Sequence, residues 1–271
     1  MRSDNGAGLA CPFLFWRGLW VRICLRHGRF YSFTIKGIQK MSLLDTNGGN
    51  TKLKKTSGSM AVYRVAGLSL HPDDILCPAR HIGGCAKPCL ISAGRGRMRN
   101  VMEGRKRKAE WFHNDRAGFL DQLRKELSNF EKTCKKQGVK PAVRLNVISD
   151  VAWEQLGIVQ EFPDTLFYDY TKRSKRLGKT PENYRLMFSY SGMPAYQKHV
   201  KIALKTDAPM SVVFRGPMPK TFLGRPVIDG DESDLFNLFA GPVIVGLRAK
   251  GAAKTEDSAF IVDTNLIASA A

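Results

Sequence analysis

The stretch AVRLNVISD, residues 142–150, gathers apolar and β-branched residues in a short run that ends in polar ones. This pattern is typical of a buried β-strand that leads into a loop. Helix-like stretches lie farther along the chain, at residues 153–162, 196–204 and 233–239. Similar strand-like runs lie around them, namely TLFYDYTK (165–172), YRLMFSYS (184–191), MSVVFRG (210–216), PVIDGD (226–231) and VIVGLRAKG (243–251). Strands that alternate with helices predict right-handed crossovers and a mainly parallel sheet.

Upstream, AVYRVAGLSL (residues 61–70) predicts a first strand, which leads into a cysteine-rich loop. A long helix is then predicted, with Asn114 or Asp115 as N-cap and Gly138 as its stop. Its predicted apolar face consists of Phe119, Leu120, Leu123, Leu127, Phe130 and Cys134. We therefore predict an α/β fold in which repeated strand–helix units form a mainly parallel, complete or partial TIM-like barrel, with a cysteine-rich loop after the first strand.

The composition limits the class of protein. The chain has 271 residues, 43% of them hydrophobic, and a formal net charge of +19. These values indicate a folded domain that meets an anionic partner such as nucleic acid, a nucleotide or a membrane surface. Basic residues that serve only solubility are the alternative. No apolar run approaches the ~20 residues of a membrane-spanning helix, so we predict no transmembrane segment.

The first forty residues differ from the rest of the chain. In GLACPFLFWRGLWVRICLRHGRFYSF, residues 8–33, arginines interrupt an aromatic-rich stretch, whereas a secretory signal needs an unbroken apolar core. Met41 resembles a natural start. We predict that residues 1–40 are a poorly ordered, leader-like extension without function, with an organellar or membrane-surface amphipathic helix as the alternative. Residues 41–60 are predicted to be a flexible linker, and residues 61–271 a single α/β domain in the cytoplasm.

Cys77, Cys85 and Cys89 lie in CPARHIGGCAKPCLISAGRGRM, residues 77–98. Without an export signal a disulfide is disfavoured, but burial as small apolar side chains stays open. The prolines and glycines disfavour a regular helix or strand, and thiolates select zinc, copper(I) or iron–sulfur clusters. With His81 the cysteines would form a closed zinc site; without it they would hold a four-iron cluster with one open iron.

Several blocks stand out in chain order: YRVAGLSLHPDDILCP (63–78), GGCAKPCL (83–90), SAGRG (92–96), RLNVISD (144–150), FYDYTKR (167–173), FSYS (188–191), KTFLGRPVIDGDESD (220–234) and VIVGLRAKG (243–251). Together they resemble a family of phage and prophage proteins related to the mycobacteriophage gene product 88 type. The resemblance runs from about Tyr63 to the C-terminus. It implies a phage-encoded protein of the host cytoplasm.

The cysteine loop and the strand–helix units also resemble a remote version of the radical S-adenosylmethionine barrel. In that superfamily three cysteines hold a [4Fe-4S] cluster, and the open iron binds S-adenosylmethionine. The resemblance implies both cofactors here, with Cys77, Cys85 and Cys89 as cluster ligands. The cysteine spacing differs from the superfamily pattern, and Pro88 replaces an aromatic residue, so only the three cysteines are carried over.

Active residues of a barrel follow the carboxyl ends of its strands. The predicted catalytic residues are Asp150, Asp169, Lys172 and Arg215. The predicted cofactor contacts are Asn146, Ser149, Ser189 and Arg248. For Asp150 a helix N-cap role before Trp153 is the alternative. Arg144 lies in mid-strand among apolar residues, where it needs a carboxylate partner or a barrel interior.

The stretch GRGRMRNVMEGRKRKAEWF, residues 94–112, combines many cations with aromatic residues. Such groups hold phosphates and stack bases, whereas a helix over the same residues would spread the charges over a solvated surface. Both interpretations stay open. The predicted nucleic-acid-binding residues are Arg95, Arg97, Arg99, Arg105, Lys106, Arg107, Lys108 and Trp111.

Two functions remain. The first is an iron–sulfur, radical-SAM-like enzyme that acts on a nucleotide or on nucleic acid. The alternative is a non-catalytic nucleic-acid-binding protein with a structural site of three cysteines and His81 around zinc.

Overall fold

The structure, a computed structural model, describes residues 41–46, 62–231 and 233–265, and the backbone of three strands near the N-terminus. These strands are β1 (Phe13–Trp16), β2 (Leu19–Arg26) and β3 (Arg29–Thr34), which pair antiparallel in the unit formed by residues 1–42. Apart from the backbone of these strands, residues 1–40 lie outside the described residues, so the predictions that they pack poorly and have no function stay predictions.

The unit formed by residues 43–271 contains a ten-stranded, mostly parallel sheet. Its strands are β4 (Leu44–Asp45), β5 (Tyr63–Leu68), β6 (Lys140–Arg144), β7 (Leu166–Thr171), β8 (Tyr184–Ser189), β9 (Met210–Arg215), β10 (Thr221–Phe222), β11 (Arg225–Asp229), β12 (Ile244–Arg248) and β13 (Ile261–Asp263). The predicted strand-like runs are thus confirmed as strands, and the mainly parallel sheet is confirmed with them.

The sheet is open. Its path runs β10-β11-β12-β9-β8-β7-β6-β5-β4, and β13 pairs with β9 beyond the end of β8. From β5 to β9 neighbouring strands are parallel and follow chain order, as in a barrel, but β12 then inserts between β9 and β11. The short strands β4 and β10 pair antiparallel at the two edges. Because the described edges do not pair with each other, the TIM-like barrel is not confirmed.

Part of the predicted linker belongs to the sheet. Leu44 and Asp45 pair with β5, and Leu43 and Leu44 are buried. The carboxylate of Glu126 accepts hydrogen bonds from both leucine amides. Residues 47–60, the rest of the predicted linker, lie outside the described residues.

One face of the sheet is covered by two long helices, α1 (Arg99–Asn114) and α2 (Arg116–Lys136). The predicted apolar face of α2 is buried apart from the half-buried Leu120. Asp115 caps α2 by accepting from the Gly118 amide, and Gly138 follows its end with φ of 65°, as predicted. The Phe112 ring of α1 joins the helices to the sheet, with edge contacts at 5.3 Å to Phe119 and 5.7 Å to Trp153.

The other connections are shorter than predicted. The stretch 153–162 begins with a single 3-10 turn, Trp153–Leu156, which ends at Gly157 in the left-handed conformation. The described residues contain two further α-helices, α3 (Gln197–Ala203) and α4 (Asp234–Leu238). Of these, α4 lies on the sheet face opposite to α1 and α2, where Leu235 and Leu238 pack with strand residues Val65, Ala142, Tyr168, Met187 and Val245. This packing fills the amino-terminal half of that face and leaves its carboxyl half open.

Among the described residues no helix is long and apolar enough to cross a membrane.

Candidate active-site cavity

A cavity of about 1220 Å³ lies at the carboxyl ends of the parallel strands. Its floor follows the period of two that a strand imposes on its side chains. The strand residues that follow this period are Gly67, Arg144, Tyr170, Ser189, Ser211, Val213 and Leu247, and Asp45, Thr171 and Arg248 at strand ends line the cavity as well. On β5, β6, β7, β8 and β12 the lining residue lies two positions after the strand residue that packs against α4. On β9 the two lining residues also lie two positions apart, so they share one face of the strand. The cavity therefore occupies the half of the sheet face that α4 does not fill.

Three further segments wall the cavity. The cysteine loop, residues 77–98, follows β5 and forms one side. Helix α1 presents Val101, Gly104, Arg105 and Lys108, which share one helix face by their spacing. Residues 250–260, which we call the cover segment, contribute Lys250, Gly251, Ala253, Lys254 and Phe260.

The cysteine loop is held in place at both of its ends. At its start, Asp73 accepts from the Ile75 and Leu76 amides and contacts His113 Nε2 at 2.7 Å, which fastens the chain to α1. Toward its end, the cover segment crosses the loop. Ser258 Oγ donates to the Gly84 carbonyl at 2.7 Å, and the Ala252 amide donates to Ser92 Oγ.

Two glycines in the loop are required by close approach. A Cβ at Gly83 would lie 2.6 Å from Lys172 Cδ and 2.9 Å from the Ala79 carbonyl oxygen. Gly84 has φ of 63°, and a Cβ there would lie 2.8 Å from Met193 Cγ. Such positions favour glycine because other residues clash or are strained. Gly83 thus lets the cysteine loop pass directly over Lys172, and Gly84 lets it pass close to Met193.

Cys77, Cys85 and Cys89 are free, half-buried, and line the same cavity. Cys77 Sγ donates to the Ile148 carbonyl at 3.6 Å, and Cys85 Sγ donates to the Arg80 carbonyl at 3.7 Å. Burial raises the pKa of Cys77, and the neighbouring Asp150 and thiols raise it further. Burial also raises the pKa of Cys85, against the opposing effect of Lys172. These two groups are therefore thiols at neutral pH unless a cation binds them.

The donor set fits a soft metal, because three free thiols face one cavity. In the described residues, however, no group of three or more His, Cys, Asp or Glu side chains is arranged to hold a metal ion. His81 lies outside the cavity wall: its side chain is 66% exposed, and Nε2 contacts Asp74 Oδ1 at 2.8 Å. Cys134 is buried in α2, as a core residue.

Lys172 is a buried cation that lines this cavity. Its Nζ donates to Ser189 Oγ, the Ser189 carbonyl and the Tyr190 carbonyl, each at 3.2 Å. The Phe260 ring of the cover segment lies 4.3 Å from Nζ. Burial lowers the pKa of Lys172 to about 8, although Cys85 and Asp150 favour the charged form. A lysine with such a pKa can hold or release a proton near neutral pH.

Asp150 lines the cavity, but its carboxylate is fully engaged. It accepts from Thr171 Oγ1 and from Arg176 Nη1, each at 2.8 Å, and from the Lys172 amide at 2.9 Å. Its own amide donates to the Leu76 carbonyl. Burial raises the pKa of Asp150, while Arg176 opposes that rise. The geometry therefore makes Asp150 a group that positions the base of the cysteine loop and Lys172.

Asp169 faces away from the cavity. It alternates with Tyr168 and Tyr170 along β7, so its carboxylate enters the helix-covered side and accepts from the Asn146 amide and Tyr184 Oη. Burial raises the pKa of Asp169 to about 7, with Arg144 opposing. Asn146 lines the cavity, but its Oδ1 accepts from Ser149 Oγ and Trp153 Nε1.

Of the other predicted site residues, some line the cavity and others do not. Ser149 and Ser189 line the cavity. Arg215 is absent from its wall; it contacts Asp263 at 3.3 Å and donates to the Ala253 carbonyl, which anchors the cover segment. Arg248 lies at the rim, where it pairs with Asp229 and Asp231.

Arg144 has the carboxylate partner that was one of the two expectations for its sequence position. Its Nη1 contacts Asp234 Oδ2 of α4 at 2.9 Å, and it lines the cavity floor. The guanidinium lies 4.5 Å from the Tyr170 ring, and Tyr170 Oη donates to Asp234 Oδ1 at 2.7 Å. Sequence analysis did not single out Tyr170, although its alternation with Tyr168 was a usable signal.

The predicted nucleic-acid-binding residues, most of which lie on α1, fall into two groups: those that line the cavity and those that do not. Arg95, Arg105 and Lys108 line the cavity, whereas the remaining predicted cations do not. Of those, Arg97, Arg99 and Arg107 are exposed, and Lys106 pairs with Glu103. The Trp111 ring packs edge-on against Phe119 at 5.5 Å, and its Nε1 donates to Asp115. Gly104, Lys254 and Phe260 are cavity residues that the sequence analysis missed.

The fold and cavity define an open-sheet α/β protein with a cysteine-lined, cation-rich cavity at the carboxyl edge of its strands. The sequence model of the gene product 88 family matches residues 41–264. The chain therefore belongs to this phage protein family, and the family resemblance is confirmed. Comparisons with curated proteins and with solved structures found no match. The resemblance to the radical S-adenosylmethionine barrel stays a prediction.

Proposed function

We propose that the cavity is the active site of an iron–sulfur enzyme that acts on a nucleotide or another anionic ligand of similar chemistry. Cys77, Cys85 and Cys89 would hold a [4Fe-4S] cluster, and S-adenosylmethionine is the cofactor that the remote resemblance implies. When bound, such a cluster supplies one-electron chemistry that protein side chains lack.

One observation carries this proposal: three free thiols from one loop line a single large cavity at the carboxyl ends of parallel strands. Ligands bind at that edge in α/β proteins. Close-approach glycines and the cover segment hold the loop over the cavity. Side-chain rotation of the cysteines is part of the proposal, because their described positions do not form a metal-ligand group.

The remaining residues would bind and orient. Lys172, with a pKa of about 8 that burial has lowered, would hold or give up a proton inside the cavity. Asp150 would position Lys172 through its backbone amide. Arg144 and Tyr170 would form a fixed floor, since Asp234 holds both side chains.

The test is anaerobic purification of the full chain, followed by an absorption spectrum and by iron, sulfide and zinc analysis. We expect a band near ~400 nm and about four irons per chain. Serine substitutions at Cys77, Cys85 and Cys89 should each remove most of the iron. Cys134→Ser is the matched control, because Cys134 lies in the core of α2, and it should keep the iron content.

The zinc alternative makes the opposite prediction. About one zinc per chain that is lost in His81→Ala would overturn the cluster and support a structural site. The position of His81, exposed and in contact with Asp74, speaks against its use as a ligand. A chain that carries neither metal would overturn the iron–sulfur enzyme.

A further inference from the structure

We infer that the cavity mouth between α1 and the cover segment binds the phosphate group of a phosphorylated small molecule of nucleotide size. This inference names the ligand class of the proposed active site, and its catalytic meaning rests on the proposed function. The binding itself does not require a metal.

The balance of charge points to an anion. Nine cationic side chains and three carboxylates line the cavity. The Asp150 carboxylate is bound by Arg176 from outside the cavity, and Asp231 contacts Arg248 and Lys250. Arg144 is paired with Asp234, which does not line the cavity. The three carboxylates that line the cavity are too few to pair with the nine cations that line it. A cavity wall with surplus positive charge attracts and holds anions.

The surplus is concentrated at the mouth. Arg95 and Lys254 form no ion pair with any described residue, and Arg105 donates only to the Gly96 carbonyl, at 3.3 Å. These three cations come from three separate segments, namely the end of the cysteine loop, α1 and the cover segment. Several cations from different directions suit a phosphate, whose oxygens accept from several donors at once.

Gly104 gives an independent indication of a ligand. It lies within α1, where glycine costs about 1 kcal/mol relative to alanine. A Cβ at this position would meet no described atom closer than 4.0 Å. Packing within the described protein therefore does not require the glycine. Since Gly104 lines the cavity one position before Arg105, it leaves the helix surface open beside that guanidinium.

The occupant is a small molecule, because Arg95, Arg105 and Lys254 line one concave cavity, with Arg95 and Lys254 exposed at its mouth. The exposed arginines of α1, by contrast, lie outside the wall. A cavity of about 1220 Å³ has room for a nucleotide, as the pockets that hold drug-sized ligands span ~300–1,000 Å³. The bound group would be a phosphate on a nucleoside-sized body.

The test compares ADP with adenosine in titration calorimetry on the full chain. We expect ADP to bind at least ~10-fold more tightly, because a hydrogen bond to a charged group contributes about 1.5–3 kcal/mol. Arg105→Gln should weaken ADP binding ~10-fold or more. Arg107→Gln removes the same charge two residues away on an exposed part of α1, and it should change binding less than ~2-fold.

Gly104→Ala supplies the second variant. It should unfold at a higher temperature than the wild type and still bind ADP several-fold more weakly, a combination that a folding defect cannot produce. The inference is overturned if ADP binds no better than adenosine, if Arg105→Gln and Arg107→Gln lose affinity equally, or if only Arg107→Gln weakens binding. Binding of ADP by a chain without iron would keep this inference and overturn the iron–sulfur proposal alone.

Discussion

The ion pair at the cavity floor allows a quantitative prediction. Asp234→Ala removes the carboxylate that joins α4 to Arg144 and to Tyr170. Arg144 Nη1 lies 2.9 Å from Asp234 Oδ2, and the two side chains are 8% and 1% exposed. Arg144 Nε already lacks a hydrogen-bond partner among the described residues. The substitution would therefore leave a buried guanidinium with no carboxylate.

Breaking a buried ion pair by removing one partner costs about 3–5 kcal/mol, because the remaining charge is desolvated and uncompensated. Each kcal/mol lowers the melting temperature of a domain of 150–250 residues by about 2–4 °C. We therefore expect Asp234→Ala to lower the melting temperature by about 6–20 °C. Replacing both partners, as in Arg144→Met with Asp234→Leu, removes the charge as well, so it should cost at least ~2 kcal/mol less.

The assay is urea unfolding monitored by tryptophan fluorescence, since Trp153 is buried in the same unit. Circular dichroism should give a coincident transition if unfolding is two-state. Two results would refute this reasoning. One is a decrease below ~1 kcal/mol in the free energy of unfolding of Asp234→Ala, and the other is a double variant as unstable as the single one. Either would show that Arg144 without Asp234 is not a costly buried charge.

Further predictions concern single groups. Because burial raises the pKa of Asp169 to about 7 from an ordinary 3.8, the folded state holds a proton that the unfolded chain releases. Its contribution to stability should thus fall as pH rises from about 4 to 7, and Asp169→Asn should remove this part of the slope in unfolding experiments. The thiols of Cys77 and Cys85, whose pKa values burial raises, should react with iodoacetamide at pH 7.5 at least ~10-fold more slowly in the folded metal-free chain than in urea, by mass spectrometry; equal rates would contradict their burial. Gly83→Val should destabilise the chain by about 1–3 kcal/mol through overpacking on Lys172, whereas Gly104→Ala, whose Cβ would meet no described atom closer than 4.0 Å, should not destabilise it in thermal melts.

The parallel sheet could be predicted because most of its strands carry their own signal, whereas the short strands β4, β10 and β13 were not predicted. Apolar runs that end in polar residues occur at β6, β7, β8, β9, β11 and β12, and helix α2 has a clear apolar period, a cap and a stop. The order of the strands carries no such local signal. Whether β12 lies between β9 and β11, and whether the edges meet, depends on packing between distant segments.

The same limit explains why Asp169 and Arg215, two of the predicted site residues, do not line the cavity. Position after a strand selects the correct edge of the sheet, and it correctly brings Ser149, Ser189 and Lys172 to the cavity. It does not select the face, which changes with every residue along a strand. Asp169 is one residue out of phase with Tyr170, so it enters the helix-covered core. Arg215 follows a strand end but binds the cover segment instead.

The basic stretch at residues 94–112 shows why the face of a helix on which each charge lies must be determined residue by residue. Its sequence alone supports either a phosphate-binding surface or a solvated helix. In the structure α1 divides these cations between the cavity wall and solvent, because residues spaced by three or four share a face. Arg105 and Lys108 face the cavity, while Arg107 is exposed. The charge that would meet the proposed phosphate ligand is therefore a small part of the +19 of the chain, and a variant at Arg105 should separate its effect from that of the remaining surface.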